Sequence, residues 1–288
     1  MLKIVEKTKI WFAISLIVII IGMGFIATKG LNLGIDFKGG TALTINMNQK
    51  YDKADVDKII DKHAKGEYLS KSVNDGKEIE ITVKSDALTA DQTATMLKEI
   101  KTQFKASSLI SENTIGASIG NELKSKALIA LIVAMIFMLV YVGIRFEFKF
   151  AAAAIIALIH DILITITVYA VSQTPVNATF IAAILTVVGY SINDTIVIFD
   201  RIRENQKKMR KATIEDITNI SVTQTLARSI NTVATVLICI FSVYVFVPSI
   251  RELSFPLLIG IGVGCYSSIF IASPMWVFLK NRSNKART

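Results

Sequence analysis

The sequence is poor in the side chains that build disulfides and metal centres: its 288 residues include two cysteines and two histidines. Cys239 and Cys265 both fall inside apolar runs, where a thiol behaves as a small hydrophobe. They supply neither a disulfide framework nor metal-ligand spacing. His160 falls in an apolar run and His63 in a polar insertion on the other side of the predicted membrane plan, so the two cannot share a site. A lone His63 on a helix face reads as a surface or core residue rather than a ligand. No phosphate loop of the form G-x-x-x-x-G-K-[ST] occurs, and no Ser/His/Asp group shares a surface. The chain is therefore expected to be no enzyme and to carry no metal and no cofactor.

What is abundant is apolar sequence. Hydrophobic residues make up 52% of the chain, and mean hydropathy is +0.52. Runs of about 20 apolar residues mark membrane-spanning helices. Six occur: Ile10–Ala27, Ala127–Ile144, Phe150–Val171, Ala178–Phe199, Ile230–Val247 and Phe255–Leu279. The class is a polytopic α-helical membrane protein. The first run is longer than the apolar core of a signal peptide, and the topology needs it, so it is read as an uncleaved anchor.

The net charge of +9 is placed by topology. Lys3, Lys7 and Lys9 precede the first run, and Arg145 and Lys149 separate the second from the third. Arg201, Arg203, Lys207, Lys208, Arg210 and Lys211 follow the fourth; Lys280, Arg282, Lys285 and Arg287 end the chain. Six spans alternate without conflict if all of these are cytoplasmic, leaving Arg251 as the single basic residue of the two short opposite loops. This positive-inside pattern argues for contact with anionic membrane lipid and against a nucleic-acid surface. Both termini are then cytoplasmic.

Four segments follow: residues 1–30, the cytoplasmic N-terminus and first span; 31–123, an external α+β domain; 124–279, the other five spans; and 280–288, a basic cytoplasmic tail. In the external domain "TALTINM" (Thr41–Met47) alternates as a strand does. "DKADVDKIIDKHAKG" starts with a capping Asp52 and places Val56, Ile59, Ile60 and His63 on one helical face. "EYLSKSV" and "KEIEITVK" flank Asn74-Asp75-Gly76, a hairpin signal. Thr89 caps a second helix whose Met96, Leu97, Ile100 and Phe104 are spaced for burial. The order β-α-β-β-α predicts a small ferredoxin-like sandwich. Gly39-Gly40 reads as a tight turn where the chain leaves the membrane, a linker as readily as a substrate contact. Gly260-x-x-x-Gly264 in the sixth span reads as close helix packing.

Polar residues inside the spans are the main functional signal. The third carries His160 and Asp161, with Thr165 one turn beyond. In the fourth, Ser191 and Asp194 stack at i and i+3, with Tyr190, Asn193 and Asp200 on a neighbouring face. In the fifth, Arg228, Asn231, Thr232 and Thr235 follow the spacing of one helix face. An acid near a helix centre costs roughly 2.5–3.5 kcal/mol on insertion scales. Arg228 can snorkel to the interface, but Asp194, about 8 Å in at 1.5 Å per residue, cannot. The economical arrangement turns these faces toward one another or toward a partner, with Asp194 and Arg228 at similar depth. Such a group either fixes helix packing or forms a protonatable site in an ion pathway. A proton crossing 100 mV supplies roughly 2.3 kcal/mol, enough to bias a conformational equilibrium about 50-fold.

"LNLGIDFKGGTAL", "YVGIRFEFKFA", "ALIHD" and "GYSINDTIVIFDRIREN" followed by "LARSINT" together resemble the SecF family, accessory subunits of the bacterial Sec export machinery. The resemblance covers essentially the whole chain. It implies half of a pseudo-symmetric unit of the RND superfamily, completed by a SecD-like subunit. It further implies association with the SecYEG channel in the cytoplasmic membrane, and use of a cation gradient to promote translocation of a preprotein. Asp194 and Arg228 match the family's ion-relay positions, with Thr232 one turn beyond Arg228 and Asn193 beside the acid. His160 and Asp161 match another family signature and, with Ser191 and Asn231, make up an intramembrane polar network. Two other readings stand beside it: a self-sufficient small-molecule exporter of RND type, and a passive assembly scaffold.

Overall fold

The computed structural model describes residues 2–64, 68–74, 76–84 and 88–285. Lys65, Gly66, Glu67 and Asp75, which belong to the expected helix end, strand and hairpin, lie outside the described residues, as does Arg287 of the tail. The chain divides into two compact units. One holds the residues up to Asn32 and from Ile129 onward, and the other is Leu33–Leu128.

In the first unit the apolar runs form helices longer than the runs themselves. These are α1 (Thr8–Lys29), α5 (Ala117–Arg145, which begins in the second unit), α6 (Phe148–Ser172), α7 (Ala178–Lys208), α8 (Ile214–Phe246), α9 (Arg251–Ser267) and α10 (Ser273–Lys285). A π-helical stretch, Ser268–Ala272, joins α9 to α10. Among the described residues, six helical segments are long and apolar enough to cross a membrane, the last running from Pro248 to Arg282. In a bilayer helices gain little from hiding apolar surface and depend on close packing. Glycine supplies it here. A Cβ on Gly260 would stand 2.4 Å from Val187 Cγ2 of α7, and one on Gly22 would stand 2.1 Å from Thr167 Oγ1 of α6. Helices α6, α7 and α9 pack on one another, α1 packs on α6, and α8 packs on α7 and α9. Trp276 stacks on Phe150 with ring centres 4.7 Å apart, and Phe150 meets Phe199 at the same distance.

The second unit is an antiparallel sheet with two helices on one face. In chain order it contains α2 (Ile35–Lys38), β1 (Gly40–Asn46), α3 (Lys53–Ala64), β2 (Tyr68–Val73), β3 (Glu78–Lys84), α4 (Ala90–Gln103) and β4 (Ser108–Ile115). The strand order is β2-β3-β1-β4, the ferredoxin-like topology, with Leu43 opposite Ile81 and Ile45 opposite Ile79. The edge strand β4 adds a fourth strand to the three expected from the sequence. Alternation sends Leu43, Ile45, Met47, Ile79, Ile81 and Val83 inward against Val56, Ile59 and Ile60 of α3 and Met96 and Ile100 of α4. Each such side chain contributes roughly 1.5–3 kcal/mol when fully buried. Asp52 Oδ1 accepts the Ala54 amide at 2.9 Å at the start of α3. Thr89 and Gln92 form a reciprocal capping box at the start of α4, satisfying donors the helix leaves open.

Gly39 and Gly40 adopt φ of +76° and +140°, where a side chain is strained. Space is closed as well: a Cβ on Gly40 would lie 2.3 Å from the Val83 carbonyl oxygen, and one on Gly39 would lie 2.8 Å from Ala117 Cα. The pair packs the α2 turn against the sheet and the first residues of α5.

Candidate functional site

The polar residues of the spans sort into two groups. The larger is centred on Asp161, which is 1% exposed. Its Oδ2 accepts from Ser191 Oγ of α7 at 2.6 Å and from Ser267 Oγ of α9 at 2.9 Å. Its Oδ1 is 3.0 Å from Nδ1 of the adjacent His160, whose Nε2 is 2.8 Å from Ser15 Oγ of α1. The His160 ring also stacks at 6.0 Å on Tyr266, whose hydroxyl donates to the Trp11 carbonyl at 3.0 Å. Four helices thus contribute to one buried network. Local geometry explains why they reach it. Gly264 lies against Ser191 closely enough that an added Cβ would be 3.0 Å from Ser191 Cβ, and the wider π turn begins directly after Ser267. A buried carboxylate without partners is prohibitively costly; this one has three.

The second group is sparse. Asp194, on α7 one turn beyond Ser191, is 7% exposed, and its Oδ2 is buried without a hydrogen-bond partner among the described residues. The side chain it interacts with is Ser229 of α8, whose Oγ is likewise buried and completes no hydrogen bond. The contact falls short of full hydrogen-bond geometry. Within the spans, these are the only two carboxylate or hydroxyl oxygens among the described residues that are buried and unpaired. Such atoms are costly in hydrocarbon.

The other candidates lie elsewhere. Arg228, Asn231, Thr232 and Thr235 occupy an exposed face of α8. Arg228 makes no ion pair among the described residues, while Thr232 Oγ1 donates to the Arg228 carbonyl at 2.9 Å. Asn231 therefore stands outside the network that gathers His160, Asp161 and Ser191. Asn193 is exposed on α7, and Tyr190 Oη donates to the Thr232 carbonyl at 3.1 Å. The buried stripe of α8 is one residue out of phase with its charged one: Ser221, Val222, Thr225, Ser229 and Val233 face inward. Sequence reasoning passed over Ser15, Ser229, Ser267 and Tyr266. A serine in a span can satisfy itself on the preceding turn, as Ser242 does on the Ile238 carbonyl, so a lone hydroxyl signals little. The one available signal was the Ser267-Ser268 pair in an apolar run.

The family model described as "Protein export membrane protein SecD/SecF, C-terminal" matches residues 93–282, and the "SecD/SecF GG Motif" model matches residues 24–50. The chain belongs to the SecD/SecF family. A protein translocase subunit SecF from Sebaldella termitidis is 38% identical over 99% of this chain and 93% of its own length. The protein translocase subunit SecDF of Bacillus subtilis is 39% identical over 97% of this chain, which spans 38% of it. The crystal structure of SecDF from Thermus thermophilus, described as a translocon-associated membrane protein, superposes with a TM-score of 0.89. The match has 31% identity and covers 98% of this chain and 39% of that one. The two glycines at the start of β1 lie within the GG-motif match, and the side chains of both membrane polar groups except Ser15 lie within the C-terminal match.

Proposed function

We propose that this SecD/SecF-family chain is a SecF-type protein translocase subunit that, with a SecD-like partner, draws on a transmembrane cation gradient to promote preprotein movement through SecYEG. The full-length likeness to translocase subunits supports the setting. The observation that carries the mechanism is the pair of unpaired buried oxygens, Asp194 Oδ2 and Ser229 Oγ, on packed helices. A carboxylate held without its full complement of donors is poised to take a proton or a cation, and each ion taken up changes the charge at the α7–α8 contact.

Arg228, Asn231 and Thr232 act from the exposed face of α8. A charged and amide-bearing face is costly against lipid, so it calls for cover by a second polytopic subunit. The two SecDF proteins, each more than twice as long as this chain, supply the template: a SecD-like half on this face would bring its own polar groups to Arg228. Basic residues before the first span, between the second and third, after the fourth and after the sixth support a topology with both termini in the cytoplasm of a bacterial cell.

The test is translocation of a preprotein into inverted membrane vesicles, with proton and sodium gradients imposed separately. Asp194→Asn is expected to remove the gradient-stimulated component while leaving assembly with the partner intact. Full stimulation in the assembled variant overturns the coupling role and leaves a scaffold. Drug efflux by a homomeric particle would instead favour a self-sufficient exporter.

A further inference from the structure

We propose that His160 and Asp161 form a second protonation site of this chain, a proton-selective pair buried in the bundle and separate from Asp194. Each heavy-atom contact suits two protonation states. In one, a neutral imidazole donates from Nδ1–H to Asp161 Oδ1, 3.0 Å away, and accepts at Nε2 from Ser15 Oγ at 2.8 Å. In the other, both ring nitrogens carry protons: Nδ1–H still donates to Asp161, and Nε2–H now donates to Ser15 Oγ. A serine hydroxyl serves as donor or acceptor by rotating one bond. The Nε2–H bond forms as one O–H bond of a hydronium ion breaks and leaves water behind, no bond of the protein breaks, and the pair passes from a net charge of −1 to neutral. No heavy atom has to move.

The donor set selects the ion. A cation needs oxygen lone pairs directed at it. Around Asp161 three of the roughly four carboxylate lone pairs are already met by hydrogen donors: Ser191 and Ser267 hydroxyls on Oδ2 and the imidazole on Oδ1. One carboxylate lone pair is left, short of the several oxygens a cation gathers, whereas the imidazole retains room for one proton. Imidazole is also the side chain whose charge changes near neutral pH. The added proton sits on His160 Nε2, the ring nitrogen 2.8 Å from Ser15 Oγ.

The surroundings hold little else that titrates. Helix α7 brings Asp194 and Tyr190, and α9 brings Tyr266 and Cys265. The charges of α1, α9 and α10 (Lys9, Lys29, Arg251, Glu252, Lys280 and Arg282) stand near helix ends. Asp194 follows Ser191 by one turn of α7, so the charge of the pair is felt there. Proton uptake by the pair stands whether or not the chain drives export.

The chain's two histidines make the test direct. The full chain, labelled with 15N-histidine and held in lipid nanodiscs, is titrated between about pH 5 and pH 9, the range bracketing an imidazole. His63→Gln assigns the His160 signal. His160 is expected to convert between singly and doubly protonated forms in that range, and Asp161→Asn to remove the doubly protonated form. A His160 signal that keeps one form throughout, of either kind, overturns the proposal. Conversion unchanged by Asp161→Asn overturns the pair as the unit. Should Asp161→Asn fail to insert, Ser15→Ala serves instead: a titration identical to that of the unsubstituted chain removes Ser15 and the two-state geometry from the account. Repeating the native titration with sodium at two concentrations must leave the midpoint in place if the site selects protons.

Discussion

Gly264 of α9 and Ser191 of α7 pack so closely that the glycine's missing methyl group would lie 3.1 Å from the Ser191 Oγ, the atom that donates to Asp161. Backbone-to-backbone contact between two spans is what brings a hydroxyl into the coordination of a buried acid. The packing surface and the polar network are one construction.

Gly264→Ala is therefore expected to lower stability by about 1–3 kcal/mol, the range for overpacking a filled contact, and Gly260→Ala by at least as much, given Val187 Cγ2 at 2.4 Å. Gly262 has no atom within 4 Å of its would-be Cβ. Gly262→Ala should be neutral or stabilise by roughly 0.5–1 kcal/mol through helix propensity. Thermal unfolding of the three variants in one detergent separates contact from propensity.

Ser229→Ala removes a buried hydroxyl that completes no hydrogen bond. Deleting an unsatisfied polar group is close to neutral for stability. If Ser229 helps Asp194 hold an ion, gradient-stimulated translocation should nevertheless fall about tenfold, equivalent to about 1.4 kcal/mol. The thermal midpoint and the vesicle assay, measured on the same variant, must diverge.

In the inserted domain, Gly40→Ala combines φ of +140° with a contact of 2.3 Å to a carbonyl oxygen. It should destabilise that domain by more than the roughly 1 kcal/mol of an ordinary Gly→Ala strain. Hydrogen exchange of β1 and β3 amides in the full chain reads the loss where it occurs. Thr89→Ala, at the capping box of α4, should cost about 1 kcal/mol.

Glu99 lies between Lys62 and His63, with His63 Nε2 at 3.0 Å. The Lys62 hydrogen bond, then that of His63, holds its carboxyl below the ordinary range. A lowered acid contributes stability that is present above its unfolded value and lost as pH falls through its folded one. The group is exposed, so the contribution is small and salt-screened. Carboxyl NMR should place the Glu99 midpoint below the ordinary glutamate value of about 4.3, and Lys62→Met should move it upward.

The legibility of the sequence follows burial. The six spans stand out because each is apolar for its whole length, and α3 and α4 because one face of each is buried against the sheet. Strand β4 gave no such signal: Ser108–Ile115 is an edge strand with no buried residue, so nothing forces its sequence to alternate. Within the membrane, Asp161 and Asp194 were conspicuous because a carboxylate there is expensive, whereas Ser15, Ser229 and Ser267 were not. Arg228 shows the limit of periodicity. Its stripe on α8 is real, but the inward stripe that meets Asp194 passes through the next residue, Ser229, and only packing decides between them.

The π turn at Ser268–Ala272 carries a wider lesson about the sixth span. An extra residue in one turn rotates everything downstream by about 100° relative to a continuous helix. The stripe that delivers Ser267 to Asp161 on one side of the turn is thus not the stripe that delivers Trp276 to Phe150 on the other. Straightening this segment into a continuous helix without removing a residue would turn one half by about 100° against the other and force the bundle to choose between its acid and its aromatic anchor.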